Sequence, residues 1–260
     1  MNPPLAPRRD LGQHFLADEN IVAVAGRMAE LMPADVVLEI GPGLGVLTAG
    51  LLARAAYVHA VEIDRGLEPA LRERFGANER LDLVFADALR YPLAELEPAP
   101  TKLVSNLPYN VATPLVVESL DGLPSVELWC VMVQREVADR FFARPGTKDY
   151  GAVSVLVQLT AERTGFHPVS RTVFRPPPNV DSALVAFRRT RAWGSEFAAV
   201  KRVAQGAFAH RRKTAANSLE LSGFERSAVE DALDRVSLAA SIRAERVAPE
   251  QFERLAELVP

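Results

Sequence analysis

Short apolar runs alternate with amphipathic stretches along most of the chain, and only amphipathic stretches follow from about Trp193. The runs Val36-Val37-Leu38-Glu39-Ile40, Ala56-Tyr57-Val58-His59-Ala60-Val61, Leu81-Asp82-Leu83-Val84-Phe85, Lys102-Leu103-Val104-Ser105 and 126–133 have strand length. Mostly apolar character over that length fits strands buried on both faces of a parallel sheet. Between them, helices are predicted over 19–31, 46–54, 65–75 and 111–120, with Asp18 and Asp64 as N-caps and Pro114 tolerated in a first turn. Further on, 134–144 reads as amphipathic, 152–161 as helix and 183–187 as strand. Four short helices, over 197–208, 213–221, 226–236 and 249–258, complete the pattern. Alternating strands and helices predict an α/β fold with a Rossmann-like sheet, and the tail predicts a small all-helical C-terminal domain. The expected domains are 1–188, including a basic N-terminal arm over 1–16, and 189–260.

The first strand runs straight into Gly41-Pro42-Gly43-Leu44-Gly45 and then a helix. Strand, glycine loop, helix is the opening unit of a nucleotide-binding sheet. A dinucleotide fingerprint needs its third glycine one residue later, where Val46 stands, so a pyrophosphate ligand is disfavoured. Glu62-Ile63 end the second strand, where a carboxylate can accept from both hydroxyls of a ribose. Asp87-Ala88 follow the third strand, where Asp87 can accept from an adenine amine. After the fourth come Asn106-Leu107-Pro108-Tyr109. That tetrapeptide reads either as a strand-to-helix turn or as a polar cup with an aromatic wall. Strand C-termini of an open parallel sheet share one edge, so Glu62, Asp87 and Asn106 are expected to face one crevice. A nucleoside ligand without a pyrophosphate loop points to S-adenosylmethionine, with product S-adenosylhomocysteine. The Asn106 oxygen and a carbonyl of Leu107 or Pro108 would then hold an acceptor amine. Tyr109 and Phe174, the latter opening the stiff segment Phe174-Arg175-Pro176-Pro177-Pro178-Asn179-Val180-Asp181-Ser182, would stack on the acceptor base.

Composition changes this picture little. The formal net charge is −3 over 260 residues, but basic residues cluster at Arg8-Arg9, at Arg188, Arg189 and Arg191, and at His210-Arg211-Arg212-Lys213. Such clusters are either solvated surface or phosphate contacts; Arg8, Arg9, Arg211, Arg212 and Lys213 are the RNA-binding candidates. Cys130 is the only cysteine and sits in an apolar run, so it is expected in the core, with no disulfide and no cysteine-rich metal site. No histidine has a second ligand at metal spacing, and no metal is expected. The chain has no apolar run of membrane-spanning length, and its start has no apolar signal core, so a cytoplasmic protein is expected.

Five segments together resemble one family. They are Gly12-Gln13-His14-Phe15-Leu16, Glu39-Ile40-Gly41-Pro42-Gly43-Leu44-Gly45, Asn106-Leu107-Pro108-Tyr109-Asn110, the proline segment 174–182 and Arg211-Arg212-Lys213-Thr214. They fall in the order seen in KsgA-type rRNA adenine N6,N6-dimethyltransferases, over essentially the whole chain. The resemblance implies dimethylation of two adjacent adenines in the 3′-terminal hairpin loop of 16S rRNA, within the immature 30S particle; with no obvious exposed apolar stripe in the pattern, a monomer is expected. It implies an S-adenosylmethionine site lined by Gln13, His14, Leu16, Gly41, Gly43, Glu62, Ile63, Asp87, Ala88 and Asn106. It also implies an adenine site framed by Asn106, Leu107, Pro108, Tyr109 and Phe174. The family usually has Asn where His14 stands; an imidazole still donates and accepts hydrogen bonds. Erm-type 23S rRNA methyltransferases share much of the pattern, and a non-catalytic assembly or transcription factor would share the fold.

Overall fold

The structure, a computed structural model, describes residues 7, 8 and 11–259. The elements are β1 (Phe15–Leu16), α1 (Glu19–Met28), β2 (Val36–Ile40), α2 (Val46–Leu52), β3 (Tyr57–Glu62), α3 (Glu68–Phe75), β4 (Leu81–Phe85), β5 (Lys102–Asn106), α4 (Ala112–Gly122) and β6 (Leu128–Gln134). They continue as α5 (Arg135–Phe141), α6 (Ala152–Thr160), β7 (Ala161–Val169), β8 (Phe174–Arg175), β9 (Ser182–Arg189), α7 (Glu196–Phe208), α8 (Ala215–Leu221), α9 (Arg226–Arg235) and α10 (Pro249–Leu258).

Seven strands form one sheet in the order β4-β3-β2-β5-β6-β9-β7. The four pairs from β4 to β6 are parallel, and β9 returns antiparallel to β6. Chain order runs one way from β2 to β4 and the other way from β5 to β6. The crossovers therefore diverge between β2 and β5, and an open sheet binds ligands at such a reversal, beyond the strand C-termini. Every residue of β2 is buried, as a central parallel strand requires. Val37, Val58, Val104, Cys130 and Met132 pack in one core cluster with Ile21, Val22 and Ala25 of α1 and Leu47 and Leu51 of α2. Cys130 is wholly buried, and burial pushes its thiol pKa up to about 12.

Asp18 caps α1 by accepting from the Asn20 N–H at 2.8 Å. Asp64 caps the turn before α3 by accepting from Gly66 N–H at 2.9 Å. One strand has no counterpart among the predicted elements. The long strand β7 carries no clear alternation, since three of its first four residues are exposed and polar, and it emerges only as the partner of β9 at the sheet edge. The chain also divides differently from a single cut after residue 188. One compact unit is 1–138 with 163–189, and the other is 139–162 with 190–260. In the second unit α7 packs on α6, α8 and α10. The Tyr150 hydroxyl donates to Val247 O at 2.9 Å, which ties the 139–162 segment into that unit although it is far away in sequence. No helix among the described residues is long and apolar enough to cross a membrane.

Candidate active site

Two adjoining cavities lie along the strand ends and share Leu11, Gly41, Glu62, Ile63 and Pro108. One, of about 60 Å³, is lined by Gln13, His14, Leu16, Glu39, Gly43 and Asn106 through Tyr109 among others. The other, of about 130 Å³, is lined by Ile40, Asp87, Ala88, Leu89, Val111 and Leu115 among others. The glycine loop makes the first possible. Gly43 has φ +58°, and a Cβ there would come within 2.9 Å of the Phe15 ring.

Glu62 is 4% exposed, and its carboxylate is pinned by the N–H groups of Gly43 at 3.1 Å and Asp64 at 2.9 Å. Burial raises its pKa, and these backbone donors hold part of the shift back. Gln13 lines the smaller cavity and donates from Nε2 to Asp64 at 2.7 Å, while its oxygen accepts from Arg8 N–H at 2.8 Å. Asp87 accepts from Leu89 N–H at 3.0 Å and sits 3.5 Å from Arg90.

Asn106 ends β5. Its Nδ2 donates to the His14 carbonyl at 3.2 Å. A carbonyl only accepts, so this contact fixes which end of the amide is nitrogen and leaves Oδ1 free of a partner among the described residues. Leu107 N–H extends the β5–β6 ladder by donating to Met132 O at 3.0 Å, which sets the height of the tetrapeptide above the sheet. Pro108 O accepts from Val111 N–H at 3.1 Å, and this turn leads into α4. Tyr109 bonds Ser182 Oγ through its hydroxyl at 2.5 Å. Burial raises the Tyr109 pKa, so the phenol stays neutral and cannot serve as a base at ordinary pH.

Phe174 is a correction. It has no exposed surface and lies in the main core cluster with Leu16, Val104, Met132 and Leu184. β1 pairs antiparallel with β8, Leu16 opposite Phe174 and Phe15 opposite Arg175. Alternation in β8 therefore turns Phe174 inward and Arg175 outward, and Phe174 is no open wall for a base. The basic candidates divide similarly. Arg8 lies 3.8 Å from Asp64, while Arg9 falls outside the described residues. Arg211 donates to Lys148 O at 2.8 Å and Tyr150 O at 3.2 Å, so it braces its own unit. Arg212 and Lys213 are exposed. The cluster at 188–191 is spent internally: Arg188 pairs with Glu30 at 2.6 Å, Arg189 donates to three carbonyls around the end of α4, and Arg191 pairs with Glu253.

Sequence reasoning passed over Glu39. It is 1% exposed, and its Oε2 and the Thr48 Oγ1 are buried without a hydrogen-bond partner. Burial raises its pKa to about 8; the Thr48 hydroxyl beside it offsets part of the cost without a full hydrogen bond, and the Glu62 charge adds to it. A lone acid inside an apolar run was the available signal. Ser182 was also missed as the partner of Tyr109, and no local signal marks it. No group of three metal-ligating side chains is assembled among the described residues.

A profile of the ribosomal RNA adenine dimethylase family matches residues 5–259. The chain belongs to that family. Ribosomal RNA small subunit methyltransferase A of Rubrobacter xylanophilus is 46% identical, with 98% of each chain covered. The protein of the same name from Thermobifida fusca is 44% identical, covering 98% of this chain and 91% of its own length. Among solved structures, the 23S rRNA methyltransferase ErmE is 32% identical with a TM-score of 0.64, covering 94% of this chain and 99% of its own. A dimethyladenosine transferase from Plasmodium falciparum has a TM-score of 0.77 at 24% identity, covering 95% and 99%, and shows the shared fold. As a member of the adenine dimethylase family, the chain is an S-adenosylmethionine-dependent rRNA adenine dimethyltransferase. Its crevice fits that cofactor. A pinned carboxylate at Glu62 suits two hydroxyls, the larger cavity is mainly apolar with Asp87 at its edge, and the orphaned Glu39 oxygen marks a place for a polar or cationic group.

Proposed function

We propose that this enzyme methylates N6 of two adjacent adenines in the 3′-terminal hairpin loop of 16S rRNA, giving N6,N6-dimethyladenosines in the immature 30S particle. The small-subunit choice is supported by relatives of that name at 40–46% identity, against 32% for ErmE. We place the protein in the cytoplasm, acting as a monomer. The observation that carries the chemistry is the fixed amide of Asn106, a residue that lines the crevice and whose Oδ1 has no partner among the described residues.

When bound, S-adenosylmethionine supplies an electrophilic methyl group and leaves as S-adenosylhomocysteine. Glu62 and Asp87 would hold its ribose and adenine, with Gly41, Gly43, Ile63 and Ala88 shaping the walls. An exocyclic adenine amine is a poor nucleophile because its lone pair is delocalised into the ring. Asn106 Oδ1 and the Leu107 carbonyl would accept its two hydrogens and favour a tetrahedral nitrogen. The Pro108 carbonyl is the weaker candidate, because Val111 N–H already occupies it. A neutral Tyr109 offers a stacking face worth about 1–3 kcal/mol, similar to the few kcal/mol needed to extrude a base. No strong base is needed, since a methylated aromatic amine sheds its proton readily. Catalysis here is positioning and preorganised hydrogen bonding.

Mass spectrometry of the rRNA of undermethylated 30S and 50S particles, after incubation of each with the protein and S-adenosylmethionine, tests this reading. Dimethyladenosine at the two hairpin adenines is expected. Methylation confined to 23S rRNA would assign the enzyme to the large subunit, and no transfer to any rRNA would make it an assembly factor.

A further inference from the structure

His14 touches the acceptor side of the crevice in three ways. Its carbonyl accepts from Asn106 Nδ2 at 3.2 Å. Its ring Nδ1 donates to Pro176 O at 2.9 Å. Its imidazole stacks on Tyr109, with centroids 5.5 Å apart and planes 29° apart. The proline segment is thereby held at both ends: near its start by the His14 ring and the β1–β8 pairing, and at its end by the Tyr109–Ser182 bond. Tyr109 is held at its hydroxyl and on one face. A planar base cannot enter between two rings already at stacking distance, so a base that stacks on Tyr109 must take its other face. Because the imidazole Nδ1 faces a carbonyl, it carries a hydrogen whether the ring is neutral or protonated.

We propose that His14 is a positioning residue for the acceptor adenine: it backs Tyr109, fixes the Asn106 amide, and so determines which face of Tyr109 receives the base and where the accepting oxygen stands. This rests on the methyl-transfer reading above and adds a role distinct from lining the cofactor site. Phe174, being buried, cannot supply a second aromatic support, and the His14 imidazole is the aromatic ring that does contact Tyr109.

The test is a double-mutant cycle on undermethylated 30S particles, with wild type, His14→Ala, Tyr109→Leu and the pair, and with His14→Phe as a ring-retaining variant. Cofactor affinity by calorimetry, melting temperature and kcat are measured for each. In His14→Ala, kcat is expected to fall on the order of 10- to 100-fold, the loss typical of a small misplacement of a reacting group. Because His14 also lines the crevice, some cofactor affinity should be lost as well, but by a smaller factor than kcat at saturating cofactor. His14→Phe should recover part of the rate. In the Tyr109→Leu background, His14→Ala should cost much less, because it acts through that ring. Additive losses, a loss seen in cofactor affinity rather than kcat, or a lowered melting temperature with unchanged kcat per folded molecule would each overturn the proposal. Should His14→Ala fail to fold, His14→Leu, which keeps bulk without an aromatic ring, takes its place, and a wild-type kcat in that variant would overturn the proposal equally. Absence of methyl transfer by the wild type would instead remove the functional reading.

Discussion

The crevice at the strand ends and the basic turn at 210–213 are both rich in polar side chains, yet they are built on opposite principles. In the crevice four polar side chains are each held by a residue remote in sequence: Glu62 by Gly43, Gln13 by Asp64, Asn106 by His14, Tyr109 by Ser182. In the basic turn Arg211 is committed to carbonyls of its own unit, and Arg212 and Lys213 stand exposed. A reaction that depends on the direction of one lone pair needs the first kind of construction. Attraction to a phosphate backbone needs only charge and reach, and the second kind suffices.

The largest test of this contrast falls on the support of the crevice. Phe174→Ala should cost about 3–5 kcal/mol of stability, as loss of a fully buried aromatic does, while Phe174→Leu keeps most of the volume and should keep transfer per folded molecule. A stable but inactive Phe174→Leu would return that ring to the substrate. Next is Asn106→Ala, expected to lower kcat by roughly 10²–10³-fold, the usual effect of deleting one preorganised hydrogen-bonding group, with cofactor affinity little changed. Parallel loss of both would assign Asn106 to the cofactor or the fold.

Glu39 gives a pH signature. Its pKa in the fold is raised from 4.5 to about 8, so the native state keeps a proton that the unfolded chain releases. The contribution of this residue to stability is therefore constant below about 4.5, falls as pH rises through about 8, and levels off above. Urea unfolding across that range should show the decline in wild type and its removal in Glu39→Gln; parallel curves would place the pH dependence elsewhere. The smallest effect is expected from Arg212→Ala with Lys213→Ala. RNA binding should weaken and its log–log salt dependence should become shallower by about 0.7–0.9 per lost phosphate contact, with kcat at saturating RNA unchanged. An unchanged slope would make these residues ordinary surface.

Much of the scaffold was legible in the residues themselves. Each β2-to-β5 strand is a local apolar run, the Asp18 and Asp64 caps are local, and the glycine loop and the Asn106 tetrapeptide lie where a strand must end. The shared crevice edge followed from parallel strands alone. The opposite held wherever a side chain's surroundings depend on a distant partner. A two-residue strand such as β8 has no periodicity, so only its pairing with β1 decides that Phe174 faces inward. The exposed, polar start of β7 hides a strand until β9 is beside it. Clustered arginines look alike in sequence, and only folding reveals that Arg189 and Arg211 are spent on carbonyls. The sequence by itself determined the order of elements and the chemical groups brought to the sheet edge, because those rest on local propensity and strand direction. The tertiary structure alone decided which groups are pinned, buried or open, because burial and hydrogen-bond satisfaction depend on contacts between residues such as His14 and Tyr109 that are far apart along the chain.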